Sequence, residues 1–245
     1  MKKLALIGYG KMGKMIEGMA ADHGFEVVSR IDQQLGTSIC AKDMNGAEIA
    51  IEFTQPEAAY TNICRCVELG IKVVSGTTGW QEQLPELKEL AAEHKGSVVY
   101  GSNFSIGMNI FYEIVRKAAH IMREFADYDV YGYELHHRHK KDSPSGTAKN
   151  LAEILLEELP AKQKAVFESL QRPKAEDELH FASVRGGEIP GEHRIGFDSA
   201  YDSIELRHTA RNRKGLAAGA LLAANWLINH QGVFEFSEVL RTEES

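Results

Sequence analysis

The 245-residue sequence lacks several features that mark particular classes of protein. No run approaches the roughly 18 consecutive apolar residues of a membrane helix, so we expect no membrane span. The three cysteines form no C-x-x-C pair, which disfavours a disulfide framework and favours a reducing compartment, with the cytoplasm as the expected location. A basic excess is also missing. The formal net charge of -7 argues against nonspecific nucleic-acid binding, and no nucleic-acid partner is expected.

The first hundred residues alternate between short apolar runs and helical patterns. The N-terminal apolar run is about four residues long, too short for a secretory signal, and is interpreted as a buried strand. Further strands are expected at 25–31, 47–53, 71–74 and 97–100, with helices between most of them. This alternation predicts an α/β fold with a Rossmann-type, doubly wound parallel sheet. Ligands of such sheets bind at the carboxyl ends of the strands.

The pattern changes after about residue 105. Strands are expected at 128–136, 179–185, 192–197 and 202–209, with helices at 108–124 and 147–159. These elements predict a smaller α+β unit with a mixed or antiparallel sheet. An apolar helix at 215–229 is expected to be buried or shared with a partner chain. We therefore expect two domains, one of residues 1–105 and 214–245 and one of residues 106–213.

A glycine turn follows the first strand and opens a helix. It comprises Gly8, Tyr9, Gly10, Lys11, Met12 and Gly13, and the acidic Asp32 ends the second strand. This context favours a dinucleotide site, in which the glycines admit the pyrophosphate and Asp32 binds the ribose, over a plain structural turn. A carboxylate repels a 2′-phosphate, so NADH is favoured, although Lys11 leaves NADPH possible.

Residues 134–148, ELHHRHKKDSPSGTA, concentrate positive charge in an acidic chain. A metal site, a solvated charge run and a pocket for a small anion are the alternatives. The adjoining histidines lie among cations and lack a Cys or carboxylate at ligand spacing, so no metal is expected. Ser145 is a good helix N-cap, and the helix start behind it can bind a carboxylate. His136 and His137 can both reach a ligand if the strand ends or bends there.

Several motifs together resemble the dihydrodipicolinate reductase family, also called 4-hydroxy-tetrahydrodipicolinate reductase. The string H-H-R-H-K-x-D-x-P-S-G-T is highly specific to that family. The other motifs lie in the same order and spacing over essentially the whole chain: the turn 8–13, EFT at 52–54, GTTG at 76–79, SNFSIG at 102–107, VRGG at 184–187 and GEH at 191–193.

The resemblance implies a role for individual residues. His136 and Lys140 match the family's proton-transfer residues. The residues matched to substrate binding are His137, Ser145, Gly146 and Thr147. Those matched to cofactor binding are Gly8 to Gly13, Asp32, Phe53, Gly76, Thr77, Thr78, Gly101, Ser102, Asn103, Phe104 and Arg213.

The resemblance also implies an activity and an assembly. The implied reaction is NAD(P)H-dependent reduction of 4-hydroxy-tetrahydrodipicolinate, a small dicarboxylate, in lysine biosynthesis through diaminopimelate. The implied assembly is a homotetramer formed through the substrate-binding domain, residues 106–213, with the remainder as the dinucleotide-binding domain. Gln33 and Gln55 replace arginines that are frequent in relatives, which further favours NADH. Another two-domain nicotinamide dehydrogenase and a dinucleotide-sensing regulator are the alternatives.

Overall fold

The structure is a computed structural model that describes residues 1–241. The chain divides into two compact units. The first unit combines residues 1–106 with the part of the chain that begins at residue 214, and the second comprises residues 107–213. Among the described residues, every helix is too short or too polar to cross a membrane.

Residues 1–241 contain eleven strands and seven α-helices. The strands are β1 (Lys2–Ile7), β2 (Phe25–Ile31), β3 (Ile49–Glu52), β4 (Lys72–Ser75), β5 (Ser97–Tyr100), β6 (Asp129–His136), β7 (Lys164–Val166), β8 (Glu178–Arg185), β9 (Glu192–Asp198), β10 (Ser203–Thr209) and β11 (Gly232–Glu235). The helices are α1 (Lys11–Ala20), α2 (Pro56–Glu68), α3 (Leu84–His94), α4 (Ile106–Met122), α5 (Gly146–Glu158), α6 (Lys214–Leu227) and α7 (Phe236–Val239).

The first unit is built on a six-stranded parallel sheet with the order β11-β5-β4-β3-β1-β2. β1 lies between β2 and β3, so the strand order reverses direction at β1. Open α/β sheets bind ligands beyond the carboxyl ends of the strands at such a reversal. The predicted doubly wound fold is confirmed, and this geometry directs attention to the residues that follow β1, β2 and β3.

Both faces of this sheet are covered, as alternation along β1 illustrates. Leu4 and Leu6 belong to a core with α1 and α6, whereas Ala5 and Ile7 belong to a core with α2 and α3. Because both faces are buried, the strands are nearly continuous apolar runs. The apolar helix α6 is buried within this unit, one of the two possibilities that its composition allowed.

The second unit contains a five-stranded mixed sheet with the order β10-β9-β6-β8-β7. β6 pairs in parallel with β8 and antiparallel with β9. Helices α4 and α5 pack against one face through side chains such as Phe111 and Leu151. Along β6 the buried residues alternate, and this alternation directs Glu134 and His136 to the same face.

The structure adds two strands that sequence analysis missed. β7 has three residues and β11 has four, and β11 completes the first sheet beside β5. β7 and β11 each contain one β-branched residue, whereas the four-residue strands β3, β4 and β5 each contain two, so the strand signal of the two missed segments is weaker. The third predicted strand, 47–53, is shorter in the structure, at Ile49–Glu52. The mixed character predicted for the second sheet is confirmed.

Candidate active site

The glycine turn after β1 is a backbone cradle that leaves no room for a side chain at Gly8 or Gly13. Gly8 has a φ of +87°, and a Cβ atom there would lie 2.1 Å from the carbonyl oxygen of Phe53. A Cβ atom at Gly13 would lie 2.4 Å from the carbonyl oxygen of Gly8. α1 then starts at Lys11 with Gly10 as its N-cap and without a side-chain cap. The amides of this first helical turn, which lack partners within the helix, suit a phosphate group.

Asp32 lies beside this turn at the end of β2. Its carboxylate accepts hydrogen bonds from the backbone N–H of Gln34, at 2.9 Å, and of Tyr9, at 3.0 Å. These two bonds, with the charge of Lys14, hold the pKa of the Asp32 carboxyl below its usual range. The predicted acidic residue therefore lies in direct contact with the glycine turn, and the residues of this region fit a dinucleotide.

Glu52 organises the adjoining ends of β3 and β4. It is fully buried, and its carboxylate accepts hydrogen bonds from Ser75 Oγ at 2.6 Å, Thr77 Oγ1 at 2.9 Å and the Thr54 N–H at 2.8 Å. The ring of Phe53 occupies the space beside Gly76, where a Cβ atom would lie 2.1 Å from Phe53 Cε1. Phe53, Gly76 and Thr77 are thus held together, while Thr78 is exposed.

The remaining predicted cofactor residues differ in their surroundings. Phe104 is buried, and its ring lies edge-on to Phe53 with centroids 6.2 Å apart. Asn103 Oδ1 accepts a hydrogen bond from the Ser105 N–H. Gly101 is buried and Ser102 is exposed. Arg213 is exposed in the segment between β10 and α6, within the second unit.

In the second unit, β6 ends at His136 and the chain turns immediately. The Lys140 N–H donates to the His137 carbonyl oxygen at 3.1 Å, which closes the turn. The condition set by the sequence, that the strand must end or bend between His136 and His137, is therefore met. His136 is buried, whereas His137 is partly exposed.

Glu134 is a buried carboxylate that connects the predicted catalytic and substrate-binding residues. It accepts hydrogen bonds from the Ser145 N–H at 2.9 Å, from Ser145 Oγ, from Ser183 Oγ at 2.8 Å and from Arg185 Nη2 at 2.8 Å. His136 Nδ1 lies 3.2 Å from Glu134 Oε2, although this contact is not aligned as a hydrogen bond. His193 Nε2 lies 3.3 Å from the same oxygen.

This environment keeps Glu134 ionised. Burial opposes ionisation, but His136, His193, Ser145 and Arg185 outweigh burial and hold the pKa of the Glu134 carboxyl far below its usual range. Burial, together with the neighbouring His136 and Lys140, lowers the pKa of His193, although the Glu134 carboxylate acts to raise it. The site thus combines a fixed negative charge with a histidine that favours its neutral form.

Arg185 and Lys140 extend the network toward the surface. Arg185 Nη2, besides its bond to Glu134, donates to the carbonyl oxygen of Asp142 at 2.8 Å. The Asp142 carboxylate pairs with Lys140, whose Nζ lies 2.8 Å from each carboxylate oxygen. The Lys140 side chain is therefore held at the surface of the site by a neighbour two residues away.

The start of α5 forms the remaining side of the site. Ser145 is its N-cap and accepts a hydrogen bond from the Ala148 N–H at 3.1 Å. Gly146 and Thr147 occupy the first turn, where backbone N–H groups lack partners within the helix. The side chain and N–H of Ser145 are already engaged by Glu134 and Ala148, so the amides of Gly146 and Thr147 are better placed for an added carboxylate.

The expectation that the histidines have no carboxylate at ligand spacing is wrong. One ligand atom each of Glu134, His136 and His193 lies within 4.8 Å of the others, a spacing that could hold a metal ion. The Glu134 carboxylate is, however, already occupied by hydrogen-bond donors, including the cationic Arg185. Nearby positive charge disfavours a bound cation, so the absence of a metal stays a prediction.

The sequence motifs contain Glu134, Arg185 and His193 but predict no role for them. Period-two alternation places Glu134 on the same face as His136, a signal that was available. The strand register sets His193 opposite Glu134 and Arg185 opposite His136. These pairings join distant segments and cannot be read from local spacing.

Comparison with known proteins identifies the family. A family model described as "Dihydrodipicolinate reductase, N-terminus" matches residues 2–104, and one described as "Dihydrodipicolinate reductase, C-terminus" matches residues 107–240. A 4-hydroxy-tetrahydrodipicolinate reductase from Christiangramia forsetii is 39% identical over 240 residues, covering 97% of each chain. One from Methanoculleus marisnigri is 37% identical, covering 91% of each chain.

Solved structures show the same fold. A dipicolinate-bound dihydrodipicolinate reductase from Paenisporosarcina sp. TG-14 matches with a TM-score of 0.78 and 24% identity, covering 97% of this chain and 99% of that one. An amine dehydrogenase from Mycobacterium smegmatis matches with a TM-score of 0.61 and 14% identity, covering 100% and 97% of the two chains. With both family models and relatives of such coverage, the chain belongs to the dihydrodipicolinate reductase family.

Proposed function

We propose that this protein reduces 4-hydroxy-tetrahydrodipicolinate to tetrahydrodipicolinate, with loss of water, in the diaminopimelate route to lysine. The observation that carries this proposal is the match to relatives of that name over nearly the full chain, at 39% and 37% identity. The second unit supports it, because proton-transfer candidates and a helix N-terminus meet there around Glu134. The substrate domain is residues 106–213 and the dinucleotide-binding domain is residues 1–105 and 214–245.

The start of α5 binds a substrate carboxylate. Backbone N–H groups and the helix dipole favour an anion at Gly146 and Thr147. His137 adds a nearby hydrogen-bonding side chain, and Ser145 holds the helix start in place through Glu134. These residues bind and orient the dicarboxylate.

His136 and Lys140 transfer the protons of the reaction. Lys140 can donate a proton, and His136 can accept or donate one at its ring nitrogens; general acid–base catalysis contributes typically about 100- to 10,000-fold. The ammonium group of Lys140 also attracts the negatively charged substrate. Asp142 pairs with that ammonium group and orients it.

The first unit binds NAD(P)H, which supplies the hydride when bound. The backbone around Gly8 and Gly13 receives the pyrophosphate, and Asp32 accepts hydrogen bonds from the ribose hydroxyls. The carboxylate of Asp32 and the uncharged Gln33 favour NADH, while Lys11 leaves NADPH usable. Gly76, Thr77, Thr78, Gly101–Phe104 and Arg213 complete the proposed cofactor contacts.

The alternative dehydrogenases rest on likeness of fold alone. An aspartate semialdehyde dehydrogenase from Vibrio cholerae matches with a TM-score of 0.52 at 10% identity, which carries no information on substrate. For the assembly we expect a homotetramer through the second unit, and for the location the cytoplasm. Light scattering of the purified protein would measure the mass of the assembly.

A direct assay tests the function. Purified protein is mixed with NADH or NADPH and freshly generated substrate, and the loss of nicotinamide absorbance is followed. We expect turnover with both cofactors and a higher kcat/KM with NADH. Absence of turnover with both would overturn the activity, whereas a strong NADPH preference would overturn only the cofactor assignment.

A further inference from the structure

Glu134 is fully buried, yet the proton-transfer and carboxylate-binding roles proposed above leave it without a function of its own. The groups around it are all capable of donating a hydrogen bond. Ser145, Ser183 and Arg185 donate hydrogen bonds, and the nearest ring nitrogens of His136 and His193 lie at 3.2 and 3.3 Å. A carboxylate accepts hydrogen bonds and does not donate them. Each histidine is therefore stabilised with a proton on the nitrogen that faces Glu134.

This arrangement distinguishes the two ring nitrogens of His136. Nδ1 faces the carboxylate, an arrangement that favours the neutral tautomer with the proton on Nδ1 and the lone pair on Nε2. Nε2 lies beside Gly191, where a Cβ atom would be only 3.1 Å away. The absence of a side chain at Gly191 leaves space at the ring nitrogen that carries the lone pair.

The same carboxylate also fixes the start of α5. It accepts hydrogen bonds from both the N–H and the hydroxyl of Ser145, and that hydroxyl in turn accepts from the Ala148 N–H. One buried group thus contacts both the His136 ring and the N-cap residue of α5.

We propose that Glu134 is a positioning residue for the reductase reaction, which holds His136 with its proton on Nδ1 while it fixes Ser145 at the start of α5. This inference rests on the proposed function. Glu134 acts through His136 and Ser145, and Arg185, 2.8 Å from Oε1, holds the carboxylate in place.

Replacement of Glu134 by glutamine makes the inference testable. Arg185 can only donate, so the amide oxygen of the variant should remain on the side of Arg185. The amide NH₂ then faces His136 and His193. Because this NH₂ is a donor, the proton of His136 should move from Nδ1 to Nε2.

Nitrogen-15 NMR of the imidazole rings measures the position of the His136 proton independently of enzyme activity. Spectra of labelled protein at a pH where His136 is neutral are compared with those of a His136→Gln variant to assign the signal. In the wild-type protein we expect a protonated Nδ1 and an unprotonated Nε2, and in Glu134→Gln the reverse. A wild-type proton on Nε2 would overturn the proposal. This measurement does not depend on the folding of a variant, because the assignment can also be made from ring-to-backbone correlations.

Glu192→Gln is a matched control. Glu192 is a buried carboxylate of the same sheet and, like Glu134, accepts hydrogen bonds from arginine. Its partners are Arg194 at 2.7 Å and Arg207 at 2.5 Å. In the register of β6 and β9 it lies opposite Leu135, next to the position of Glu134. We expect the Glu192→Gln variant to keep the wild-type state of His136 and a kcat within about twofold of the wild type.

Kinetics with substrate and NADH connect the positioning to the reaction. In Glu134→Gln we expect kcat to fall about 10- to 100-fold, because Nε2 of His136 then carries a proton and can no longer accept one, while KM changes by less than about fivefold. A moved proton with unchanged kcat would overturn the catalytic part of the proposal. If the wild-type protein fails to turn over the substrate, the proposed function is overturned, and the NMR spectra still decide how Glu134 positions His136.

Discussion

Lys140 and Asp142 form an ion pair in which Nζ lies 2.8 Å from both carboxylate oxygens. The bond to Lys140 is the main cause of the lowered pKa of the Asp142 carboxyl, so the pair persists across the neutral range. The carboxylate offsets the ammonium charge that a dicarboxylate substrate would meet. Asp142 therefore moderates the attraction of the site for its proposed substrate.

We expect Asp142→Asn to lower KM for the substrate. The asparagine retains a hydrogen-bond acceptor for Lys140 but removes a negative charge that repels the dicarboxylate. Asp142 is 58% exposed, and exposed pairs contribute at most about 1 kcal/mol, so the decrease in KM should be about two- to fivefold. Steady-state kinetics at low and high salt measure this change, which salt should reduce. An unchanged or raised KM would argue against the charge effect.

Replacing the two kinds of proposed site residue should affect different kinetic constants. Lys140→Ala removes a proton donor and should lower kcat about 100-fold or more, with a smaller change in KM. We propose that the Thr147 hydroxyl binds the substrate carboxylate together with the N–H groups, so Thr147→Val, which removes the hydroxyl but keeps the shape, should raise KM about tenfold with little change in kcat. Initial rates over a range of substrate concentrations separate the two constants. The assignment of the site is wrong if both variants behave as the wild type.

Gln33→Arg should improve the use of NADPH. Gln33 is exposed directly after Asp32, and an arginine there can pair with a 2′-phosphate. We expect kcat/KM for NADPH to rise about tenfold and that for NADH to change less than about twofold, since one such contact contributes roughly 1.5 kcal/mol. Gln163→Arg adds the same charge at an exposed position of the second unit and is the control. An equal rise in that variant would indicate a general effect of charge.

The sequence predicted the sheet of the first unit because its strands are short apolar runs that end at recognisable turns. It also placed Ser145 as the N-cap of α5, since capping is a local property of a few residues. The sequence did not predict the role of Glu134 or Arg185. Their importance arises from register between β6, β8 and β9, which depends on pairing of distant segments rather than on local patterns.

The stability of the fold should decrease as the pH is lowered from neutral, in part through His193. Burial lowers the pKa of His193, with Glu134 and His136 facing it from β6, Lys140 from the following turn and His208 from β10. The folded state thus binds a proton less readily than the unfolded state. The stability that depends on neutral His193 is present above about pH 6.5. It is lost as the pH falls through the pKa of this histidine in the unfolded state and then through its lower pKa in the folded state.

Urea unfolding of the wild type and of His193→Asn tests this dependence. Between about pH 8 and about pH 5.5 the midpoint of the wild type should decrease more than that of the variant, because the variant lacks the group that titrates. Glu134 ionises fully in both states over this range and should not contribute, since unfolded glutamate titrates near pH 4.3. Equal decreases in the two proteins would assign the pH dependence to other groups.

Gly191→Ala should impair both the site and the fold. Gly191 has a φ of +152°, a conformation that residues with a side chain rarely adopt, and the new Cβ atom would lie 3.1 Å from His136 Nε2. Backbone strain of this kind costs about 1 to 3 kcal/mol, and displacement of His136 should lower kcat about tenfold or more. Gly186→Ala is the control. Gly186 also contacts His136, because its N–H donates to the His136 carbonyl oxygen, but an added Cβ atom there meets nothing within 4 Å. The midpoint of thermal unfolding and kcat are measured for both variants. Gly191→Ala should lower both the midpoint and kcat, whereas Gly186→Ala should leave kcat within about twofold of the wild type. A normal kcat in Gly191→Ala would mean that the space beside Nε2 is not needed for catalysis.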